Sequence, residues 1–167
     1  MKKIQYVFYL LLFQLPNTLS GSSLDKYGDR IELLGIPFRD PLVLCQILIA
    51  VFISIAFFQS GIDKIIDRTG NIEFLNVHFQ NTFLKSFTPL LLSILTILEL
   101  LGSATLIYGI YYSFVMRTTL WIFYGFVVVA ITIIFLFAGQ RIAKDYLGAA
   151  DLVPYFILIM LGIMSMY

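Results

Sequence analysis

The sequence predicts an all-α, polytopic membrane protein built on a bundle of four transmembrane helices. Composition is the first reason: 60% of the 167 residues are hydrophobic and only 13% are charged, with a mean hydropathy of +0.93. Soluble proteins carry about 25% charged residues, so this chain could not cover its own surface in water. The second reason is a set of long, continuously apolar runs, which lack the polar–apolar alternation of a membrane β-barrel.

Four of these runs are long enough to cross a bilayer. A span needs about 20 apolar residues, because the hydrocarbon core is about 30 Å thick and an α-helix rises about 1.5 Å per residue. Two carboxylates interrupt the runs: Glu99 lies near the middle of the second, and Asp151 lies near the start of the fourth. The predicted spans are residues 42–62, 86–116, 118–140 and 146–167. We expect them to form one membrane domain, residues 42–167.

The N-terminus has the features of a secretory signal. Lys2 and Lys3 precede an apolar run over residues 4–15, and small residues follow at 18–21. Such a segment is either a cleaved signal peptide or a retained signal anchor. We favour the anchor, which makes segment 1–20 a fifth helix and residues 21–41 an extracytoplasmic linker.

The placement of lysine and arginine predicts the orientation, because cytoplasmic loops carry an excess of both. With the N-terminus inside, the 63–87 and 141–150 loops are cytoplasmic, as expected for a multi-pass protein of a bacterial-type inner membrane. The cytoplasmic set is then Lys2, Lys3, Lys64, Arg68, Lys85, Arg141 and Lys144, and the outer set is Lys26, Arg30, Arg39 and Arg117. The ring cluster Tyr108, Tyr111, Tyr112 and Trp121 is predicted at the outer interface, where amphipathic rings accumulate.

Charge and residue counts exclude several classes of function. The net charge of +1 gives no basic surplus with which to bind nucleic acid. Cys45 is the only cysteine and His78 the only histidine, so the chain alone cannot form a disulfide, a Cys-x-x-Cys redox pair or a bis-histidine haem site. We predict no metal site, a small buried role for Cys45, and a packing or lipid-headgroup role for His78.

Glu99 is the strongest candidate for chemistry. An ionised carboxylate at the centre of a span costs about 2.5–3.5 kcal/mol, and such residues tend to be functional. At helical spacing, Ser93, Thr96, Glu99 and Ser103 share one face, which predicts a polar stripe that points into the bundle. The stripe favours a proton carrier or a ligand-binding carboxyl. The alternative is an interhelical hydrogen bond or salt bridge that only fixes helix packing.

Two more charged segments are candidates for the same site. Lys64, at the end of the first span, either pairs with Asp67 one turn later or reaches back to Glu99, to an anionic headgroup or to a cofactor. Arg141 begins a segment rich in charges and small residues that runs to residue 151. That segment predicts a polar cluster at one mouth of the bundle, or a charged loop without chemistry. The candidate catalytic residues are therefore Glu99, Lys64 and Arg141.

Two motifs resemble the DoxX family of small four-helix membrane proteins. Phe-Gln-Ser-Gly-Ile-Asp-Lys-Ile ends the first predicted span at residues 58–65. Leu-Glu-Leu-Leu-Gly-Ser, at residues 98–103, is similar to the family's Glu-Leu-x-Gly-Gly pattern, with Ser103 at the second glycine. The resemblance covers residues 42–167 and implies a four-helix core. It places Ser60, Gly61, Lys64, Glu99 and Gly102 at family-typical positions.

The resemblance also implies a function. The family is named after a subunit of a membrane thiosulfate:quinone oxidoreductase, and relatives act as accessory subunits or membrane chaperones. Our first hypothesis is therefore an accessory subunit of a larger inner-membrane, quinone-linked complex, with other membrane-protein subunits and lipid as partners. The second is a small quinone oxidoreductase in which Glu99 carries the proton and Lys64 or Arg141 polarises the ring carbonyls. The third, a carrier for a small solute, rests on the polar stripe alone.

Overall fold

The computed structural model describes residues 31–33, 36–38 and 41–167 of the chain. The signal-like segment 1–20 and most of the predicted linker lie outside the described residues. Within the linker, strand β1 (Ile31–Leu33) pairs antiparallel with strand β2 (Ile36–Phe38), and Ile31 lies opposite Phe38. This short hairpin is not predicted by the sequence analysis, although isoleucine and phenylalanine both favour strands.

Four long helices form the membrane domain, as predicted. Each is long and apolar enough to cross a bilayer. The second starts with a turn of 3-10 helix over Phe83–Phe87, and a shorter helix precedes that turn. The helices are α1 (Pro41–Ile66), α2 (Arg68–His78), α3 (Thr88–Met116), α4 (Leu120–Ile142) and α5 (Tyr146–Met164). The chain is therefore an integral membrane protein.

Short connections join the last three helices. Arg117 ends α3 in the left-handed region, at φ 54°, and α4 begins three residues later. Lys144, at φ 63°, lies between α4 and α5. The carboxylate of Asp145 then accepts a hydrogen bond from the backbone N–H of Gly148, which caps the first turn of α5. Such short turns make consecutive helices antiparallel neighbours.

The loop over residues 63–87 folds back on the bundle through α2. The Thr88 hydroxyl donates to Asn76 Oδ1 at 2.6 Å, and His78 Nε2 lies 2.7 Å from Gln140 Oε1. These contacts attach α2 to the start of α3 and the end of α4. Phe74 and Val77 remain exposed on α2, as suits a helix at the membrane interface.

Glycines bring α3 and α4 into close contact near the turn between them. A Cβ atom on Gly109 would lie 2.6 Å from the backbone nitrogen of Ile122, and one on Gly125 would lie 3.0 Å from that of Leu106. Only glycine allows two helix backbones to approach so closely. Around these contacts the rings of Tyr108 and Trp121 meet edge to face, with centroids 5.2 Å apart.

The outer surface of the four spans is apolar, as a lipid-facing surface must be. Exposed isoleucine, leucine and phenylalanine side chains occur along all four. Cys45 is exposed as well, so the prediction that it is buried is wrong. The buried residues of α1 near its start are Gln46, Ile47 and Ala50, and their three-to-four-residue spacing turns Cys45 away from the bundle.

Candidate functional site

The Glu99 carboxylate lies inside the bundle, where its side chain is only 2% exposed. The predicted polar stripe is present on α3: Thr96 and Ser103 are buried on the same face, and Ser93 is half-buried. The hydroxyl of Thr96 donates to the backbone carbonyl of Leu92, and that of Ser103 donates to the carbonyl of Leu100. These two hydroxyls are satisfied within their own helix. Two members of the stripe have partners on other helices: Ser93 accepts from Arg68 on α2 at 2.8 Å, and Glu99 takes its partners from α1.

Those partners are Lys64 and Ser60 on α1. Lys64 Nζ lies 2.9 Å from Glu99 Oε2 and 3.0 Å from Oε1, and its aligned hydrogen bond goes to Oε1. Ser60 Oγ also donates to Oε1, at 3.2 Å, while it accepts from Lys64 Nζ at 2.6 Å. Lys64 donates as well to the backbone carbonyl of Ser60. Of the alternatives that the sequence left open for Lys64, the structure shows the reach to Glu99.

Two features of α1 position this lysine. The helix continues to Ile66, beyond the predicted end at residue 62, and so carries Lys64 one full turn past Ser60. Gly61 lets α1 approach α3, because a Cβ atom there would lie 2.7 Å from Leu100 Cδ2 and 3.6 Å from Glu99 Cβ. The motif Ser-Gly-x-x-Lys therefore supplies a hydroxyl, a close approach and a cation on one side of the helix.

One oxygen of the carboxylate keeps an open hydrogen-bonding direction. Among the described residues, Glu99 Oε2 is buried and receives no aligned hydrogen bond, although the charge of Lys64 lies 2.9 Å away. The Lys64 ammonium balances the charge of this oxygen, which keeps a lone pair that a further donor, such as a ligand hydroxyl or N–H group, could use.

A cleft of about 230 Å³ opens beside this carboxylate. All four spans contribute to it, and its polar groups are the Glu99 carboxylate, the Ser60 hydroxyl and the Tyr155 phenol. Lys64 contacts the carboxylate but does not belong to the lining. The remaining lining residues are Ala56, Phe57, Ile133, Leu136 and Leu152. The cleft can therefore accept a small polar group that is otherwise surrounded by hydrocarbon.

Tyr155 is the site residue that the sequence analysis missed. It lies in α5 directly after Pro154, and its ring stacks on that of Phe52 at a centroid distance of 6.3 Å. A phenol within an apolar span is a signal in itself, because a tyrosine hydroxyl inside a membrane needs a polar partner. The sequence could not say which face of α5 points inwards.

The structure places Arg141 away from this cleft. The residue is exposed in the last turn of α4, and its guanidinium carbon lies 4.6 Å from the centroid of the Tyr146 ring. Nearby, Asp145 caps α5, and His78 packs between the rings of Phe74 and Phe79. The polar contacts at the α4–α5 turn join Asp145 to Gly148 and His78 to Gln140, and they do not include the Lys64–Glu99 pair. Within the described residues, no three His, Cys, Asp or Glu side chains are placed to bind a metal ion.

Comparisons of the chain with protein-family models, with curated proteins and with solved structures find no match. The resemblance to the DoxX family therefore stays a prediction that rests on the motifs at residues 58–65 and 98–103. The function is therefore inferred from the geometry of the cleft.

Proposed function

We propose that this chain is a DoxX-type membrane protein that binds the headgroup of a quinone in the Glu99 cleft. In this proposal it serves as an accessory subunit of a larger, quinone-linked complex. One observation carries the proposal: a buried carboxylate, held by Lys64, lines a cleft whose other residues, apart from Ser60 and Tyr155, are apolar. Ionisable groups inside a membrane are costly, and they persist mainly where they bind, relay or gate something.

The groups in the cleft fit both redox forms of a quinone ring. A quinol hydroxyl can donate to Glu99 Oε2, the oxygen that lacks an aligned donor. A quinone carbonyl can accept from the phenol of Tyr155. A quinone, when bound, would carry electrons and protons between membrane proteins. Lys64 acts on the ligand through Glu99: it holds the carboxylate in place and balances its charge.

The accessory role follows from the small set of redox ligands in the chain. One cysteine and one histidine are too few to ligate an iron–sulfur cluster or a bis-histidine haem. We therefore assign the electron-transfer centre to a partner subunit. The proposed setting is a bacterial-type inner membrane, with the 63–87 and 141–150 loops on the cytoplasmic side, as the lysine and arginine bias favours.

The second candidate is a quinone oxidoreductase in its own right, with Glu99 as the proton carrier. The observation in its favour is that the buried Oε2 receives no aligned hydrogen bond, so it has a lone pair that can take a proton from a bound quinol. The solute-carrier hypothesis loses its main support, because the hydroxyls of Thr96 and Ser103 are bonded within α3 and offer no continuous polar path.

The first test compares Glu99→Gln with a matched control, Glu73→Gln. Both substitutions remove one charge at constant size, but Glu73 is exposed on α2, outside the spans. We expect Glu99→Gln to weaken binding of a short-chain benzoquinone to the detergent-purified protein by about tenfold or more, since a charged hydrogen bond is lost. Glu73→Gln should leave the Kd unchanged. Equilibrium dialysis measures the Kd, and a thermal melt confirms that each variant is folded.

Equal affinity in wild type and Glu99→Gln would contradict the quinone site. The accessory role is tested separately, by mass spectrometry of the tagged protein extracted in mild detergent from its native membrane. A defined set of co-purifying subunits is the expected result. Recovery of the chain alone, with full quinone turnover, would favour the oxidoreductase reading instead.

A further inference from the structure

A second cavity lies against the Glu99 cleft. It is an apolar groove between α4 and α5, of about 230 Å³. Its lining residues are Ile133, Ile134 and Phe137 on α4 and Leu152, Val153 and Phe156 on α5. Ile133 and Leu152 also line the Glu99 cleft. The two cavities therefore share a wall that consists of these two side chains.

Two other sides of the Glu99 cleft have close contacts between helices. Between α1 and α3, a Cβ atom on Gly61 would lie 2.7 Å from Leu100 Cδ2. Between α3 and α4, a Cβ atom on Gly102 would lie 2.7 Å from Val129 Cγ2. On the side between α4 and α5, the groove itself borders the cleft.

On the side between α1 and α5, the rings of Phe52 and Tyr155 lie side by side, with centroids 6.3 Å apart and an angle of 19° between the planes. Both side chains are exposed at the surface of the spans. The apolar groove, in contrast, borders the cleft directly through Ile133 and Leu152.

The α5 helix is also the span best able to let a chain pass. Pro154 has no amide hydrogen, so it cannot donate to the backbone carbonyl of Ala150 one turn earlier. This interruption lies next to Leu152 and Val153. Of the four spans, α5 buries the smallest share of its apolar window, and Leu152 is only half-buried. A change of rotamer at Leu152 would join the groove to the cleft.

We infer that the α4–α5 groove holds the hydrocarbon tail of the ligand whose headgroup lies at Glu99, and that the tail passes between Ile133 and Leu152. The ligand class is then an amphipathic molecule with one hydrogen-bonding ring and a long apolar chain, and it reaches its site from the bilayer. The cleft alone, at about 230 Å³, is smaller than the roughly 300–1,000 Å³ of pockets that enclose a drug-sized ligand. The cleft is large enough for the ring of the ligand, and the hydrocarbon chain must extend out of the cleft. This inference rests on the proposed quinone site.

The direct test is photocrosslinking of the full-length wild-type protein in lipid nanodiscs. The probe is a benzoquinone with a ten-carbon chain that ends in a diazirine, and the adducts are mapped by peptide mass spectrometry. We expect adducts on Ile134, Phe137, Val153 or Phe156, and their loss when excess ten-carbon quinone without the diazirine is added. Adducts spread over the lipid-facing residues of α1 and α3, or insensitive to the competitor, would overturn the tail groove.

A matched pair of variants gives an independent measurement. Val153→Trp fills the groove without touching the Glu99 cleft, while Val115→Trp adds the same ring to an exposed position on α3. We expect Val153→Trp to weaken binding of the ten-carbon quinone about three- to tenfold, because only packing contacts reward the tail in an apolar solvent. Binding of the same ring without a chain should not change, and Val115→Trp should change neither.

The outcomes separate the two proposals. If the benzoquinone without a chain binds wild type and Glu99→Gln abolishes that binding, the headgroup site is supported independently of the tail groove. Equal affinity of Val153→Trp and wild type for the ten-carbon quinone would then overturn the tail groove alone. If the chainless ring fails to bind wild type, the quinone site and the tail groove fail together.

Discussion

The two ends of the helix bundle are built on different principles. Towards the α3–α4 turn, Gly109 and Gly125 bring two backbones together, and the side chains buried around them include the apolar Leu106 and Ile122 and the hydroxyl of Ser113. Towards the α4–α5 turn lie the ion pair of Lys64 with Glu99, a cleft and a proline within a span. Among the described residues, the first end has no buried charged side chain. At the second end, a cleft lies beside a buried charge.

The glycine contacts that stabilise the bundle therefore lie apart from the ion pair at the proposed ligand site. In lipid there is little hydrophobic drive to bring helices together, so close packing supplies much of the attraction. The glycine contacts provide it at the α3–α4 end. A buried ion pair contributes little net stability, because desolvation offsets the attraction between the charges. Its presence at the other end is therefore the basis of the proposed ligand site, and a role in helix packing is the alternative that the variants below test.

The largest effect is expected when one charge of the Lys64–Glu99 ion pair is removed without the other. Lys64→Met leaves Glu99 buried without its cation, and we expect it to reduce the free energy of unfolding by about 3 kcal/mol. Combining Lys64→Met with Glu99→Leu removes both charges and should return the stability to within about 1 kcal/mol of wild type. Steric-trapping measurements in bicelles give the three free energies.

The same variants separate stability from binding. The double variant should be folded but unable to bind the short-chain benzoquinone, since neither the carboxylate nor its cation remains. If the double variant is as unstable as Lys64→Met, the pair is a structural requirement of the bundle and the comparison between its two ends fails. Retention of quinone binding by the double variant would contradict the site.

The next largest effect is the loss of stability when one glycine from each end of the bundle is replaced by alanine. Gly109→Ala places a methyl group 2.6 Å from a backbone nitrogen of α4, which cannot move without shifting the helix. We expect it to cost about 2 kcal/mol, as overpacking does. Gly61→Ala meets the end of the Leu100 side chain at 2.7 Å. A leucine can change rotamer, so the cost should be below about 1 kcal/mol.

Thermal unfolding in one detergent ranks the two alanine variants. A larger loss for Gly61→Ala than for Gly109→Ala would show that the α1–α3 contact is the tighter one. The end that holds the cleft would then not be the looser end of the bundle. Equal losses would remove the distinction.

Much of the fold could be predicted from the sequence, because a bilayer imposes length and polarity on each segment. The four spans and the inward-facing stripe around Glu99 follow from those two constraints. Lys64 as the partner of Glu99 was only one of several alternatives, since helical spacing relates residues within α3 but not between α1 and α3. Tyr155 was missed for the same reason. Whether it lines the cleft depends on how α5 is rotated against the other three spans. Cys45 was placed on the wrong face because its residue type, and not the periodicity of α1, decided the prediction.

The smallest expected effect concerns Arg141, which the sequence analysis proposed as a polarising group for the ring. The side chain stacks on Tyr146 and does not line the cleft, and an exposed cation–π contact is worth about 0.5–1 kcal/mol of stability. We therefore expect Arg141→Gln to change the Kd for the short-chain benzoquinone by less than about twofold, with Lys144→Gln as the control for lost charge at the same turn. A loss as large as that of Glu99→Gln, absent in Lys144→Gln, would mean that Arg141 reaches the bound ring. The α4–α5 turn would then belong to the site.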